Sequence, residues 1–188
     1  MLRGVLLAVV VLFPVSEIVL AVVKRATSRS ADVRDRGSLG LLWGVIAGSM
    51  CVAVAFRWVP AAAIRAPDVV LRPLALGLMT VGLVVRWTSI LTLGRFFTVD
   101  VAVQSGHSLV ETGLYRHLRH PSYTGLLLVF LGLGVFFANW LSLVSLSVPT
   151  TLAVLRRIRV EEGVLRDALG GPYEEYCSRT RRLVPWLF

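Results

Sequence analysis

Cysteine is scarce in this chain: two in 188 residues, Cys51 inside an apolar run and Cys177 in a charged tail. A bridge between them is not expected, which excludes a disulfide-rich secreted scaffold. Lysine is scarcer still, since 19 of the 20 basic residues are arginine, and there are only 11 acids. The glycine-rich strand–turn–helix of a soluble nucleotide-binding domain is missing too: Gly132-Leu-Gly134 lies within an apolar run and is no phosphate cradle. The histidines and acids show no metal-ligand spacing, so no metal is expected. Charged residues make up 16% and no low-complexity stretch occurs, which excludes a disordered or collagen-like chain. In excess is apolar surface: 56% of residues are hydrophobic and the mean hydropathy is +0.75, high for a water-soluble globule.

A net charge of +9 has two common physical meanings, nucleic-acid binding and membrane topology. The cations here sit between long apolar runs and form no aromatic–basic stacking platform, so topology is the expectation and no nucleic-acid partner is expected. The first run, 5–23, reads as a retained span rather than a signal peptide: Pro14 and Glu17 interrupt it, and no small-residue cleavage site precedes Lys24-Arg25. Runs 39–59 and 69–93 are the second and third. Gly44 and Gly48, four apart, predict a close helix approach in the second. The stretch 123–155 is too long for one span and turns naturally at Asn139, giving a tight hairpin of 123–137 and 140–155. The expected fold is therefore all-α and integral to the membrane, with about five transmembrane helices. Residues 1–93 form a three-span scaffold, and residues 94–188 hold the hairpin and a cytoplasmic helical tail. With the amino terminus outside, fifteen lysines and arginines lie on the cytoplasmic side against four on the other. A bacterial-type plasma (inner) membrane location is expected, with anionic headgroups as further partners.

The histidines, the tyrosines and most acids fall after position 95. Two polar segments stand out, 106–125 and 156–185, at opposite ends of the hairpin, so both surface at one membrane face. Arg119, His120 and Tyr123 are then expected to face Arg157 and Glu162 across a short gap. Pro121 forces His120 out of helical geometry and can itself open a helix. The helix amino terminus attracts a carboxylate, and the acids attract an ammonium, so a small zwitterion suits the gap.

Gly113-Leu-Tyr115, Arg119-His-Pro-Ser-Tyr-Thr-Gly125, Glu161-Glu162 and Tyr173-x-x-Tyr176 together resemble the isoprenylcysteine carboxyl methyltransferase family and its phospholipid methyltransferase kin. The resemblance covers roughly residues 93–185. It implies an integral-membrane enzyme that takes S-adenosylmethionine from the cytosol into its carboxy-terminal half, leaves S-adenosylhomocysteine, and receives a lipid-like acceptor from the bilayer, with carboxylate O-methylation favoured. Carried across residue by residue, His107, Leu109, Val110, Gly113, Tyr115, Arg119, His120 and Tyr123 would line the cofactor pocket, and Glu162, Tyr173 and Tyr176 would close it. Arg157 and Glu162 match the family's functional pair, with Arg156 and Glu161 as rivals one residue away. The chain lacks the additional early spans of longer eukaryotic members, so a small lipid-like acceptor is expected rather than a prenylated protein.

Other roles compete at several positions. His117 suits a solvated or headgroup-facing site. Arg156, Arg159, Arg181 and Arg182 suit topology charges, and Glu174 and Glu175 a solvated face. Trp140, Trp186 and Tyr176 suit the interfacial belt. Arg86, an intramembrane arginine, either attracts an anionic acceptor or pairs with Glu17. The alternative function is a small multi-span transporter or lipid-binding membrane protein, which leaves the paired polar segments unexplained.

Overall fold

The computed structural model describes residues 4, 13–20, 32–33, 37–97, 102–103 and 109–184. These form helix α1 (13–20), α2 (Ser38–Phe56), α3 (Asp68–Leu93), α4 (Pro121–Phe136), α5 (Trp140–Leu169) and α6 (Gly171–Arg179). One departure from an all-α chain is a two-residue antiparallel ladder, Asp32–Val33 on Ala102–Val103. Among the described residues, α2, α3 and α5 are long and apolar enough to cross a membrane, while α4 is apolar but shorter. Of the expected first span, only 13–20 falls within the described residues.

The helix ends follow from local chemistry. Pro121 opens α4, where a missing N–H costs nothing, and His120 stands just outside the helix at φ −127°. The expected turn at Asn139 is present. Ala138 takes a left-handed φ of 51°, and Asn139 caps α5 by accepting from the backbone N–H of Leu141 at 3.0 Å and Ser142 at 3.2 Å. Its amide also donates to the Val59 carbonyl at 3.0 Å, tying the turn to the end of α2. The hairpin's second arm departs from expectation. It does not stop at 155 but continues as one helix to Leu169, ended by Gly170 at φ 59°. Arg157, Glu161 and Glu162 therefore ride on the rigid extension of a membrane-length helix.

Packing sets α3 against α4 and α2 against α5, with α4 and α5 in contact between them. The α3–α4 seam is built on glycine. A Cβ at Gly125 would lie 2.5 Å from the Gly82 carbonyl oxygen and 2.6 Å from the Arg86 nitrogen, so the two backbones touch there. One at Gly132 would lie 2.8 Å from the Ala75 carbonyl oxygen. Gly44 and Gly48, by contrast, have nothing within 4 Å. The expected close approach fails in α2 because that helix buries its other face, Leu42, Ile46, Ser49 and Ala53, against the bundle. Leu126, Val129, Phe130, Leu146, Val154 and Ile158 fill the centre, and Phe13 of α1 meets Phe130 edge to face at 5.7 Å. Outward, Val69, Val84, Leu91, Val144 and Leu152 are exposed, an apolar exterior suited to hydrocarbon rather than water.

Beyond α6 the chain turns back along the approach to α4. Arg119 donates its backbone N–H to the Arg181 carbonyl at 2.7 Å, His120 to that of Arg182 at 3.0 Å, and Arg181 to that of His117 at 3.0 Å. This ladder holds α6 over the junction of α4 and α5.

Candidate functional site

A cavity opens at that junction. Leu109, Val110, Tyr115, Arg119, His120 and Tyr123 line it from the approach to α4, Arg157 and Glu161 from α5, and Tyr173 and Tyr176 from α6. Ten residues singled out from the sequence, Glu161 as a rival among them, thus share one space. His107 lies outside the described residues. Gly113 stands off the lining: at φ 59° it opens the 3₁₀ turn that presents Tyr115, and it packs beside Thr92.

The α5 side chains divide by function of position. Arg156 is exposed and Arg157 buried, so of the two arginines it is Arg157 that faces inward. Its Nε donates to the Tyr123 hydroxyl at 2.8 Å and its Nη1 to the Ser38 hydroxyl at 2.9 Å. The Tyr123 hydroxyl donates onward to Glu161 Oε2 at 3.0 Å. One phenol therefore sits between a cation and an anion.

Glu162 points elsewhere. Fully buried and set behind the cavity lining, it accepts from Arg119 Nε at 3.0 Å, Arg182 Nη2 at 2.9 Å and Arg166 Nη2 at 3.4 Å. Arg119 also donates to the carbonyls of Cys177 at 2.9 Å and Thr180 at 2.7 Å. Glu162 is thus the hub through which the tail is fastened to α5. This corrects the expectation for Arg182, which is an ion-pair partner of Glu162 and not a free topology charge.

The two tail tyrosines differ as well. Tyr176 is buried, not a belt aromatic, and its hydroxyl donates to the Tyr115 carbonyl at 2.7 Å. Tyr173 is 2% exposed, and its hydroxyl has no hydrogen-bond partner among the described residues. His120 Nε2 is likewise buried and lies 3.4 Å from Glu162 Oε1. Burial raises the Tyr115, Tyr173 and Tyr176 phenols above their ordinary value, so all three are neutral donors at physiological pH. A buried hydroxyl on the cavity wall with no partner among the described residues, that of Tyr173, is what a polar ligand would satisfy.

The early helices also contribute to the wall: Glu17 and Leu20 of α1, Leu39, Leu42 and Trp43 of α2, and Arg86 of α3. Arg86 pairs with Glu17 through both Nε and Nη2 at 2.5 Å and reaches the Ser122 hydroxyl with Nη1 at 3.1 Å. The open question at Arg86 is thereby answered in favour of pairing. Its signal in the sequence was thin: Glu17 is the one acid within the first apolar run. For the apolar wall residues the sequence offered no signal that set them apart from core. His117 and Trp140 are exposed.

Comparison with known proteins gives this geometry its context. Residues 75–167 match the isoprenylcysteine carboxyl methyltransferase (ICMT) family. The probable protein-S-isoprenylcysteine O-methyltransferase of Oryza sativa subsp. indica is 33% identical over 112 residues, covering 58% of this chain and 59% of the relative. Protein-S-isoprenylcysteine O-methyltransferase B of Arabidopsis thaliana is 34% identical over 114 residues, 60% of this chain and 58% of its own. The solved structure of a eukaryotic intramembrane Ras methyltransferase ICMT superposes with a TM-score of 0.64 at 27% identity, covering 77% of this chain and 52% of that one. The chain thus spans little more than half the length of these relatives. Within the stretch that carries most of α3, all of α4 and nearly all of α5, this chain is similar in sequence and fold to the isoprenylcysteine carboxyl methyltransferase family.

Proposed function

We propose that this protein is a membrane methyltransferase that moves a methyl group from S-adenosylmethionine to the carboxylate of a lipid-like acceptor. The observation that carries this is one cavity in which Arg157 and Glu161 flank the Tyr123 hydroxyl while Tyr173 Oη stands buried without a partner among the described residues. The relatives, O-methyltransferases of isoprenylcysteine by name, point to the same acceptor chemistry.

The residues fit such a donor. A zwitterion with an added positive centre needs acceptors, donors and both charges within one wall, and these side chains supply them. The positive end of the α4 dipole favours a carboxylate beside His120. Bound there, the donor would supply an electrophilic methyl group on a sulfonium. Methyl transfer of this kind is an in-line displacement, so the protein's task is alignment and the exclusion of water. Arg157 holds the anionic acceptor; a carboxylate is already a nucleophile and needs no general base. Glu162 fixes Arg119 and the tail, and so keeps the cavity closed on the cytoplasmic side. Leu20, Leu39, Leu42 and Trp43 offer the acceptor's hydrocarbon an apolar wall. The lining thus draws on both sides of residue 93, so the early helices serve the site as well as supporting it.

The same proposal carries the topology. The chain spans five times, through the run holding α1, then α2, α3 and the α4–α5 hairpin to about residue 155. Its amino terminus is outside and its site faces the cytoplasm of a plasma (inner) membrane, a reading that the arginine distribution supports. The test is methyl transfer from labelled S-adenosylmethionine to a total lipid extract, with mass spectrometry of the product. A methyl ester of an amphiphilic acid is expected. Absence of labelled product, together with absence of saturable S-adenosylhomocysteine binding in detergent, would overturn the proposal in favour of a transporter or lipid carrier.

A further inference from the structure

We propose that a second groove, between α4 and α5, binds one acyl chain of an anionic phospholipid whose phosphate is held by Arg159 and Arg181. The inference rests on the chain's place in a bilayer and is independent of methyl transfer. Leu128 and Leu131 of α4, Thr151 and Leu155 of α5, and Leu183 and Val184 of the returning tail line this groove of about 500 Å³. That volume falls within the roughly 300–1,000 Å³ of a small-molecule site. None of its lining residues lines the first cavity, so it is not the wall offered to the methyl acceptor. Its hydroxyls are almost all engaged. Thr151 donates to the Ser147 carbonyl at 2.8 Å and Thr124 to that of Leu183 at 2.6 Å. Ser147 Oγ is left as the one lining hydroxyl without a partner among the described residues.

The wall selects hydrocarbon. A peptide laid in the groove would leave nearly all of its backbone N–H and C=O groups unpaired at bilayer depth. Val148 and Leu152 of α5, next to the lining residues, are exposed, so the flank of the groove suits contact with lipid. The mouth selects charge. Along α5 the lining positions Ser147, Thr151 and Leu155 recur every four residues, and the next in the series is Arg159. Arg181 stands two residues before Leu183 on the tail. Both arginines are exposed, as is Arg156 beside Leu155, and none of the three side chains has a hydrogen bond or ion pair among the described residues. Arg86, Arg119, Arg157 and Arg182, at or behind the first cavity, are each engaged. Cations with capacity to spare at the end of an apolar groove match a phosphate joined to hydrocarbon, and each adds to the attraction of an anionic headgroup. A free phosphate would meet the same arginines but gain nothing from the groove. A chain seated there covers Leu183 and Val184, so bound lipid stabilises the return of the tail by mass action.

The experiment is native mass spectrometry and thermal melting of the full chain in detergent with dioleoyl phosphatidylglycerol, dioleoyl phosphatidylcholine or inorganic phosphate. The chain is expected to retain one phosphatidylglycerol, several-fold in preference to phosphatidylcholine, and to melt higher with it; inorganic phosphate alone should not raise the Tm. Arg159→Gln with Arg181→Gln should cut phosphatidylglycerol affinity roughly tenfold and leave phosphatidylcholine unchanged. Both side chains are exposed, so this variant tests the site in a folded chain. Arg65→Gln with Arg116→Gln removes the same charge from exposed positions outside the groove and should cost less than twofold. Leu128→Trp, which fills the groove, should lower retention of both lipids. Equal retention of the two lipids, equal stabilisation by inorganic phosphate, or equal losses in the two double arginine variants would overturn the inference. So would pairing of two chains that Leu128→Trp abolishes, which would make the occupant a second copy.

Discussion

Glu17 and Glu162 are both buried carboxylates paired with arginine, yet they are arranged differently. Glu17 meets one guanidinium in a matched fork, within the apolar part of the bundle, and joins α1 to α3. Glu162 gathers three guanidiniums near the carboxy-terminal end of α5 and joins the tail to the helix. Between them lies Arg157–Tyr123–Glu161, where the charges are separated by a phenol and one carboxylate oxygen is left open. The difference teaches where to look for function. Charges that hold the fold are closed upon each other, whereas a carboxylate that serves a ligand, as Glu161 does, keeps an oxygen without a hydrogen bond among the described residues. Breaking either closed centre should cost stability first, and disturbing the open one should alter binding first.

The largest effect is expected at Glu162. In Glu162→Ala, Arg119 and Arg182 lose their shared anion, and removing one partner of a buried pair costs about 3–5 kcal/mol. The apparent Tm in detergent should fall sharply, and protease should release the tail after Leu169. A variant that melts like wild type would mean that Glu162 is not the tail's anchor. Glu17→Ala comes next, at about 3 kcal/mol, because Arg86 is left buried without its counter-ion. Replacing both partners, Glu17→Leu with Arg86→Met, should recover most of that loss, since an apolar pair of similar volume removes the uncompensated charge. No recovery in the double variant would show that Arg86 serves more than Glu17.

How much of this was legible beforehand depends on the range of each signal. Pro121 and Asn139 act on their own neighbours, so the start of α4 and the turn before α5 could be read directly. The meeting of 119–123 with 157–162 followed from the hairpin, once its two polar ends were seen to share a face. The end of α5 lies beyond the expected 155 because hydropathy falls after Leu155 while helix propensity does not: Arg, Glu and Leu carry the helix on to Leu169, with Gly170 as its cap. Glu161 and Glu162 were inseparable in sequence, being about 100° apart on the helix; only the bundle decides which faces the cavity. The glycine seam was sought in the wrong helix, since small residues four apart permit close approach without requiring it. Arg182 on Glu162 had no local signal, because it depends on the tail returning across the bundle.

The seam offers the next test. Gly125→Ala would thrust a methyl group into the backbone of α3, where overpacking costs about 1–3 kcal/mol and the rigid helices cannot yield as a side chain would. Gly44→Ala and Gly48→Ala meet only open space and should be neutral or slightly stabilising. Thermal melts of the three variants in one detergent compare them directly. Equal loss at Gly44 or Gly48 would mean that α2 has a close partner beyond this bundle.

The smallest effects separate the two tail tyrosines. Tyr176→Phe removes the hydroxyl that holds the Tyr115 carbonyl, and loss of one buried hydrogen bond costs about 1 kcal/mol. Tyr173→Phe removes a hydroxyl that has no partner among the described residues, so the free protein should keep its stability or gain slightly from shedding an unsatisfied group. Ligand affinity should run the other way. Tyr173→Phe should weaken S-adenosylhomocysteine binding several-fold, because its hydroxyl is open to a ligand, while Tyr176→Phe should weaken it only as far as Tyr115 shifts. Melting and titration on the same samples give both readouts. A Tyr173→Phe variant that melts early and binds normally would reverse the assignment, placing Tyr173 among the closed contacts of the fold.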